Sequence, residues 1–115
     1  MVTIYHNLDP ALPARMADPA FRERYQPEHS GLELAGVAAS GDDLDGDDLD
    51  AAFDRVIHRD GENWTDNAGV TFFGDPRGRR SSQEGDVFVT GDGLAHLALP
   101  LGFRALPDLH LPFLP

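Results

Sequence analysis

Short apolar runs separated by proline and glycine make up most of the hydrophobic pattern of this chain. Two such runs, Val87–Thr90 and Leu94–Leu99, flank the sequence Gly91-Asp92-Gly93. Glycine adopts the positive φ angles of a tight turn without steric cost, so this spacing predicts a C-terminal β-hairpin. Pro100 and Gly102 then end the second strand of that hairpin.

Further β-type segments lie outside the hairpin. Val2–His6 is rich in β-branched and aromatic residues and is predicted to be the first strand. Leu32–Val37 is predicted to be a second strand, although its glutamate and glycine weaken the pattern, and Val70–Phe73 a third. After the hairpin, Phe103 and Leu106 are predicted to form a final apolar turn.

One segment has clear helical periodicity, with apolar residues at the spacing i, i+3, i+4, i+7 and i+8. Asp47 or Asp48 is expected to cap this main helix, which is predicted to end near His58. A shorter helix is predicted at Pro19–Tyr25, with Asp18 as its cap and proline at the first helical position. The apolar face of the main helix consists of Leu49, Ala52, Phe53, Val56 and Ile57.

The order of elements is strand, loop, strand, helix, strand, hairpin, which is typical of an α+β domain. We expect a single domain over residues 1–115, with a small antiparallel sheet or partly open barrel of about 4–5 strands packed on one main helix. A proline-rich loop or arm is expected at 10–31 and an acidic loop at 41–47. The proline-rich tail at 107–115 either packs against the body or offers apolar residues to a partner.

The charge of the chain is strongly negative. Its nine basic residues are all arginine, and 20 carboxylates give a formal net charge of −11. Such a charge repels nucleic acid at long range and favours basic partners, so non-specific DNA binding is not expected. The chain has no cysteine, which excludes disulfides, thiolate nucleophiles and zinc fingers. No apolar run approaches the length of a membrane span and no signal-peptide pattern is present, so a soluble cytoplasmic protein is expected, with no membrane partner.

The most acidic stretch is Asp42–Asp50, in which a short aspartate unit repeats once. A calcium loop of the EF-hand type is disfavoured, because taking Gly46 as its glycine puts Gly41 and Ala52 at ligand positions. The acids are therefore interpreted as a helix cap and a solvated loop that can meet a basic partner. Trp64 is a candidate interface anchor, although a lone tryptophan between helix and strand is more often a core residue. The candidate partner-binding residues are Asp42, Asp43, Asp45, Asp47, Asp48, Asp50 and Trp64.

A basic loop precedes the hairpin. Its arginines either grip a phosphate or a partner carboxylate through paired hydrogen bonds, or simply offset the acidic neighbourhood. Ser81 and Ser82 lack a nucleophile elbow and are expected to hydrogen-bond the loop. The five histidines, one of them His6, lack the spacing of zinc ligands, so no catalytic residue, metal or cofactor is assigned. The candidate phosphate or loop site consists of Arg77, Arg79, Arg80, Ser81 and Asp86.

Four short motifs follow one another along the chain: Thr3–Asn7, Asp48–Phe53, Trp64–Val70, and Arg80-Ser81 with Gly85-Asp86-Val87. Their order resembles the YodL-like domain family, small proteins of actinobacterial phages, plasmids and other mobile elements. The chain departs from that family at Gln83, where a second serine is usual, and at Asp42–Gly46, which looks inserted. The resemblance implies a mobile-element accessory protein and assigns no catalytic residue.

Three functions are compatible with these patterns. The leading hypothesis is a non-enzymatic module whose acidic face binds a basic surface of a host or element protein, in its sharpest form as a mimic of DNA phosphates. The alternative is a phosphate- or RNA-binding or processing protein that uses the Arg77–Asp86 loop, with Asp86 or a histidine moving protons. The third is a structural component that self-associates through its apolar tail.

Overall fold

The computed structural model describes residues 2–38, 49, 52–53, 57, 63–64, 70–73 and 80–112. Its centre is an open, antiparallel sheet of six strands, and the fold belongs to the α+β class. The strands are β1 (Val2–Asn7), β2 (Leu32–Ala38), β3 (Val70–Phe72), β4 (Val87–Val89), β5 (Ala95–Ala98) and β6 (Phe103–Leu106). Their order in the sheet is β3-β2-β1-β4-β5-β6, and in the described part of the chain no pairing joins β3 to β6.

The sheet has more strands than the pattern predicted, because Phe103–Leu106 forms β6 and not an apolar turn. The Leu99 amide donates to the carbonyl of Gly102 at 2.9 Å. Pro100 and Gly102 therefore belong to a turn that reverses the chain, and they do not end the sheet. Phe103 then pairs with Ala98, and the ladder continues to the pair Leu106 and Ala95. The proline and glycine were interpreted as a stop, whereas they form a turn between two paired strands.

Both faces of the sheet are covered, which explains why all six residues of β1 are buried. Successive strand residues point to opposite faces, so β1 and β4 contribute to two separate cores. One core contains Val2, Ile4, Ala35, Ala38, Ala52, Trp64, Phe88 and Ala98. The other contains Tyr5, Leu12, Met16, Val87, Val89, Ala95, Leu97, Leu106 and Leu111.

Two short helices and a 3-10 turn (His29–Gly31) connect β1 to β2. Helix α2 (Pro19–Arg24) confirms the predicted helix and its cap, since the Asp18 carboxylate accepts a hydrogen bond from the Ala20 amide at 3.1 Å. Helix α1 (Leu12–Arg15) was not predicted, because its proline was interpreted only as a breaker. Proline is tolerated in the first helical turn, where its missing N–H has no partner to lose.

The predicted main helix lies largely outside the described residues. Leu49, Ala52 and Phe53 are helical and pack on the first core. The Phe53 ring stacks on Phe88, with ring centroids 5.6 Å apart, and Phe88 contacts Phe103 at 5.4 Å. The predicted acidic loop at 41–47 also lies outside the described residues.

The C-terminal tail packs against the body as far as it is described. Leu111 belongs to the second core, and Leu109 packs against it. The Tyr5 hydroxyl donates a hydrogen bond to the Pro112 carbonyl. In the described part of the chain no helix is long and apolar enough to cross a membrane.

Candidate functional site

A carboxylate is completely buried directly before β4: Asp86 has no exposed surface. Its Oδ1 accepts hydrogen bonds from the backbone N–H of Asn7 at 2.8 Å and from Arg80 Nη2 at 2.7 Å. Its Oδ2 accepts hydrogen bonds from Arg80 Nη1 and from the backbone N–H of Gln83, both at 2.8 Å. A buried charge needs this degree of pairing, because the donors replace the water that the carboxylate has lost.

Arg80 is the counter-ion of this carboxylate, and both of its terminal nitrogens bond to the protein. Besides the paired bonds to Asp86, Nη1 donates to the Ser81 carbonyl at 2.9 Å and Nη2 to the Asn7 carbonyl at 3.0 Å. The four N–H bonds of its two terminal nitrogens are thereby satisfied inside the fold. This geometry therefore favours neither the predicted phosphate binding by Arg80 nor the predicted proton transfer by Asp86. Of the remaining loop residues, Ser81 contributes its carbonyl to the pair.

Asn7 joins this centre to the short helices. Its Nδ2 donates to the Tyr25 hydroxyl at 2.7 Å and to the Gly85 carbonyl at 3.3 Å. Gly85 has a φ of +96°, and a Cβ there would lie 2.3 Å from Cδ2 of Leu12. Only glycine fits this position, because a side chain would be strained in the backbone and would collide with α1. Through Asn7 and Gly85, the Arg80–Asp86 centre thus contacts Leu12 of α1 and Tyr25 at the end of α2.

His6 and Ser82 lie beside this centre but do not form a catalytic triad with Asp86. The Ser82 Oγ is 3.1 Å from His6 Nε2, and the nearer Asp86 oxygen is 4.0 Å from the same nitrogen. In a triad the serine and the acid contact opposite nitrogens of the imidazole, so that the acid orients the base. Ser82 and His6 are each only 4% exposed. Ser82 was expected to hydrogen-bond the loop, whereas its hydroxyl contacts His6 on β1.

Trp64 is a core residue. It has no exposed surface, and its Nε1 donates to the Arg80 carbonyl at 2.7 Å. The His6 ring meets it edge-on, with ring centroids 6.1 Å apart. Burial therefore favours the core interpretation of Trp64 over the interpretation as a partner anchor, because the ring is not exposed in this conformation.

A cleft of about 440 Å³ opens next to Arg80. Its ionisable lining groups other than His6 are Asp9, Glu33 and Arg80, and the charge of Arg80 is balanced by Asp86. In the described part of the chain no cluster of histidine and carboxylate side chains could hold a metal ion. The cleft is lined by His6, Asn7, Leu8, Asp9, Pro10, Glu33, Arg80 and Gln83.

Other described arginines also contact acceptors of the protein itself. Arg104 donates to the carbonyls of Glu23 and Tyr25, at the C-terminal end of α2, where the helix dipole favours a cation. Arg15 lies 3.7 Å from the Asp9 carboxylate and stacks over an aromatic ring of α2. Arg104 and Arg15 are therefore paired with groups of the protein itself.

The remaining predicted site residues lie outside the described part of the chain. They are Asp42, Asp43, Asp45, Asp47, Asp48, Asp50, Arg77 and Arg79. The structure therefore brings together Arg80, Ser81 and Asp86 from the predicted loop site, and it adds Asn7, the last residue of β1, which was not predicted as a site residue. A glycine before an aspartate at the start of a strand was the available sequence feature, but it does not identify the acid's partner.

Comparisons with protein-family models, with curated proteins and with solved structures found no match to this chain. The resemblance to the YodL-like domain family accordingly stays a prediction.

Proposed function

We propose that this protein is a small, non-enzymatic binding module that engages a basic surface of another protein. The observation that carries the proposal is that Arg80, the cation of the best-formed polar site, is neutralised inside the fold by Asp86. In addition, the chain has a net charge of −11, and ten of its acids lie between Asp42 and Asp66. The charge available to a partner is therefore negative, and the contact is assigned to the acids of Asp42–Asp50.

A non-enzymatic role is supported by how the polar groups of the described residues are used. Both oxygens of Asp86 accept hydrogen bonds inside the fold, two from Arg80 and two from backbone N–H groups. Ser82 and the nearer Asp86 oxygen both lie on the Nε2 side of His6, at 3.1 and 4.0 Å, and not at opposite nitrogens as in a triad. General acid–base catalysis needs a side chain within hydrogen-bond distance of the substrate. The side chains of Asp86, Arg80, Ser82 and His6 instead contact one another.

The setting of the proposal is an accessory protein of a mobile element, as the resemblance implies, with the cytoplasmic location that the sequence pattern predicts. In its sharper form the carboxylates of Asp42–Asp50 imitate DNA phosphates and occupy a DNA-binding protein of the host or the element. Duplex DNA would then displace this protein from its partner. An acidic binder of another kind would stay bound when duplex DNA is added.

The test is affinity capture from a nuclease-treated lysate with elution by rising salt, using two variants of equal charge. One variant carries Asp42→Asn, Asp43→Asn and Asp45→Asn in the acidic stretch. The control carries Glu23→Gln, Glu28→Gln and Asp108→Asn at exposed positions elsewhere.

The proposal predicts that one basic protein is retained by the natural chain and by the control, and that the acidic-stretch variant releases it at lower salt. Charge pairing across an interface is screened by salt, so the release point reports the loss of local charge. Equal release from both variants would place the contact elsewhere, and capture of no salt-sensitive protein would overturn the proposal.

A further inference from the structure

An apolar groove lies at the turn between β5 and β6, away from the Arg80–Asp86 centre. Its volume is about 340 Å³, and its walls include the rings of Phe53 and Phe103. Leu101 stands at the tip of the turn and is 93% exposed, far more than Leu8 at 55%, the other large apolar residue on the described surface. A fully exposed leucine next to a groove walled by aromatic rings is the kind of feature that marks a contact surface.

The charge around this groove is of one sign. Glu84 is its only ionisable lining residue within the described part of the chain, and no basic side chain lines it there. Phe53 also comes three residues after Asp50 and directly before Asp54 in the sequence. In the sequence, acidic residues therefore stand on both sides of the residue that forms one wall of the groove.

We infer that the groove takes one large apolar side chain carried on a basic segment of the partner protein. The apolar side chain fills the space between Phe53 and Phe103 and is covered by Leu101, while flanking lysines or arginines face Glu84 and the neighbouring acids. This inference rests on the proposed function and adds to it the chemistry of the partner, namely an apolar anchor within a basic sequence. A net charge of −11 disfavours a second copy of the chain as the occupant.

The test uses two synthetic lysine-rich peptides that are identical except at one central position, which is leucine in one and serine in the other. Their binding to the full isotope-labelled chain is followed by amide chemical shifts at low salt. The leucine peptide is expected to bind roughly tenfold more tightly, because one apolar side chain leaves water. The largest shifts are expected in the turn Leu99–Phe103.

Two single variants locate the effect. Leu101→Ser is expected to abolish the difference between the peptides while leaving the affinity of the serine peptide unchanged. Leu8→Ser, a matched change at the other exposed leucine, is expected to keep the difference. Thermal melts of both variants check that the fold is retained.

The possible failures are distinguishable. If both peptides bind equally to the natural chain, or if Leu101→Ser preserves the leucine preference, the groove inference is overturned and the proposed function stands. If neither peptide binds at low salt, the proposed function fails together with the inference. If sedimentation shows a dimer of the natural chain that Leu101→Ser converts to a monomer, the groove joins two copies and the inference is wrong.

Discussion

The Arg80–Asp86 centre and the Leu101 groove differ in how their side chains are used. The centre contains the residue types that usually suggest chemistry, yet its donors and acceptors are matched to one another. The groove contains ordinary apolar residues, yet Leu101 is almost completely exposed. The difference teaches that an arginine, an acid, a histidine and a serine in one place mark a functional site only if some of their bonding capacity is left over.

The strongest way to break this comparison is to remove the buried acid. Asp86→Ala leaves the Arg80 guanidinium and two backbone amides without their acceptor, so the free energy of unfolding is expected to fall by about 3 kcal/mol. Urea unfolding measures the loss. Asp108→Ala, at an exposed acid, is the control and is expected to change stability by less than about 0.5 kcal/mol. A similar small effect for Asp86→Ala would mean that the pair is not structural.

The next largest effect is expected at Gly85. Gly85→Ala imposes a side chain at a φ of +96° and against Leu12, so a loss of about 1–3 kcal/mol is expected in the same assay. Gly31→Ala is the matched control, since a Cβ at Gly31 would have no atom within 4 Å. Equal free energies of unfolding for the two variants would show that the stability of the fold does not depend on the close contact of Gly85 with Leu12 in α1.

A smaller effect is expected from alkaline pH. Burial raises the pKa of both Tyr5 and Tyr25 above the ordinary value of 10.0. The folded state therefore favours the neutral phenols, and their contribution to stability is fully present below pH 10 and is lost as pH rises through the folded-state pKa values. Unfolding free energies measured from neutral to alkaline pH check this direction. The double variant Tyr5→Phe with Tyr25→Phe should flatten the decline, and an unchanged decline would assign it to other groups.

The smallest effect on stability is expected at the groove. Leu101→Ser should change the free energy of unfolding by less than about 0.5 kcal/mol, because the side chain makes little contact with the rest of the fold. Thermal unfolding measures this directly. A large loss would mean that Leu101 is a structural residue, and the contrast with the Arg80–Asp86 centre would disappear.

Local chemistry allowed part of this fold to be predicted. The Asp18 cap and the first strand follow from residue types that favour those positions directly. The sixth strand was missed because proline and glycine give the same sequence pattern in a turn between paired strands as at the end of a sheet. Helix α1 was missed for a similar reason, since the same proline both breaks and begins helices.

The site was harder to predict, because its residues come from distant parts of the chain. Asn7 contacts Asp86 across the pairing of β1 with β4, and no local pattern specifies that pairing. Arg80 and Asp86 were recognised as a polar loop, but whether an arginine faces solvent or a buried acid depends on the tertiary fold. For Trp64 the sequence left open a core position and an interface position, and packing in the first core decides between them.

The most direct test of the account is a titration of the labelled full chain with sodium phosphate, read at the guanidinium resonances of Arg80 and the amide of Gln83. Sodium chloride at matched ionic strength is the control. Because the terminal N–H groups of Arg80 are bonded to Asp86, Asn7 and Ser81, phosphate is expected to produce no more change than chloride. A saturable shift of Arg80 that is specific to phosphate would contradict the account and favour the phosphate- or RNA-binding alternative.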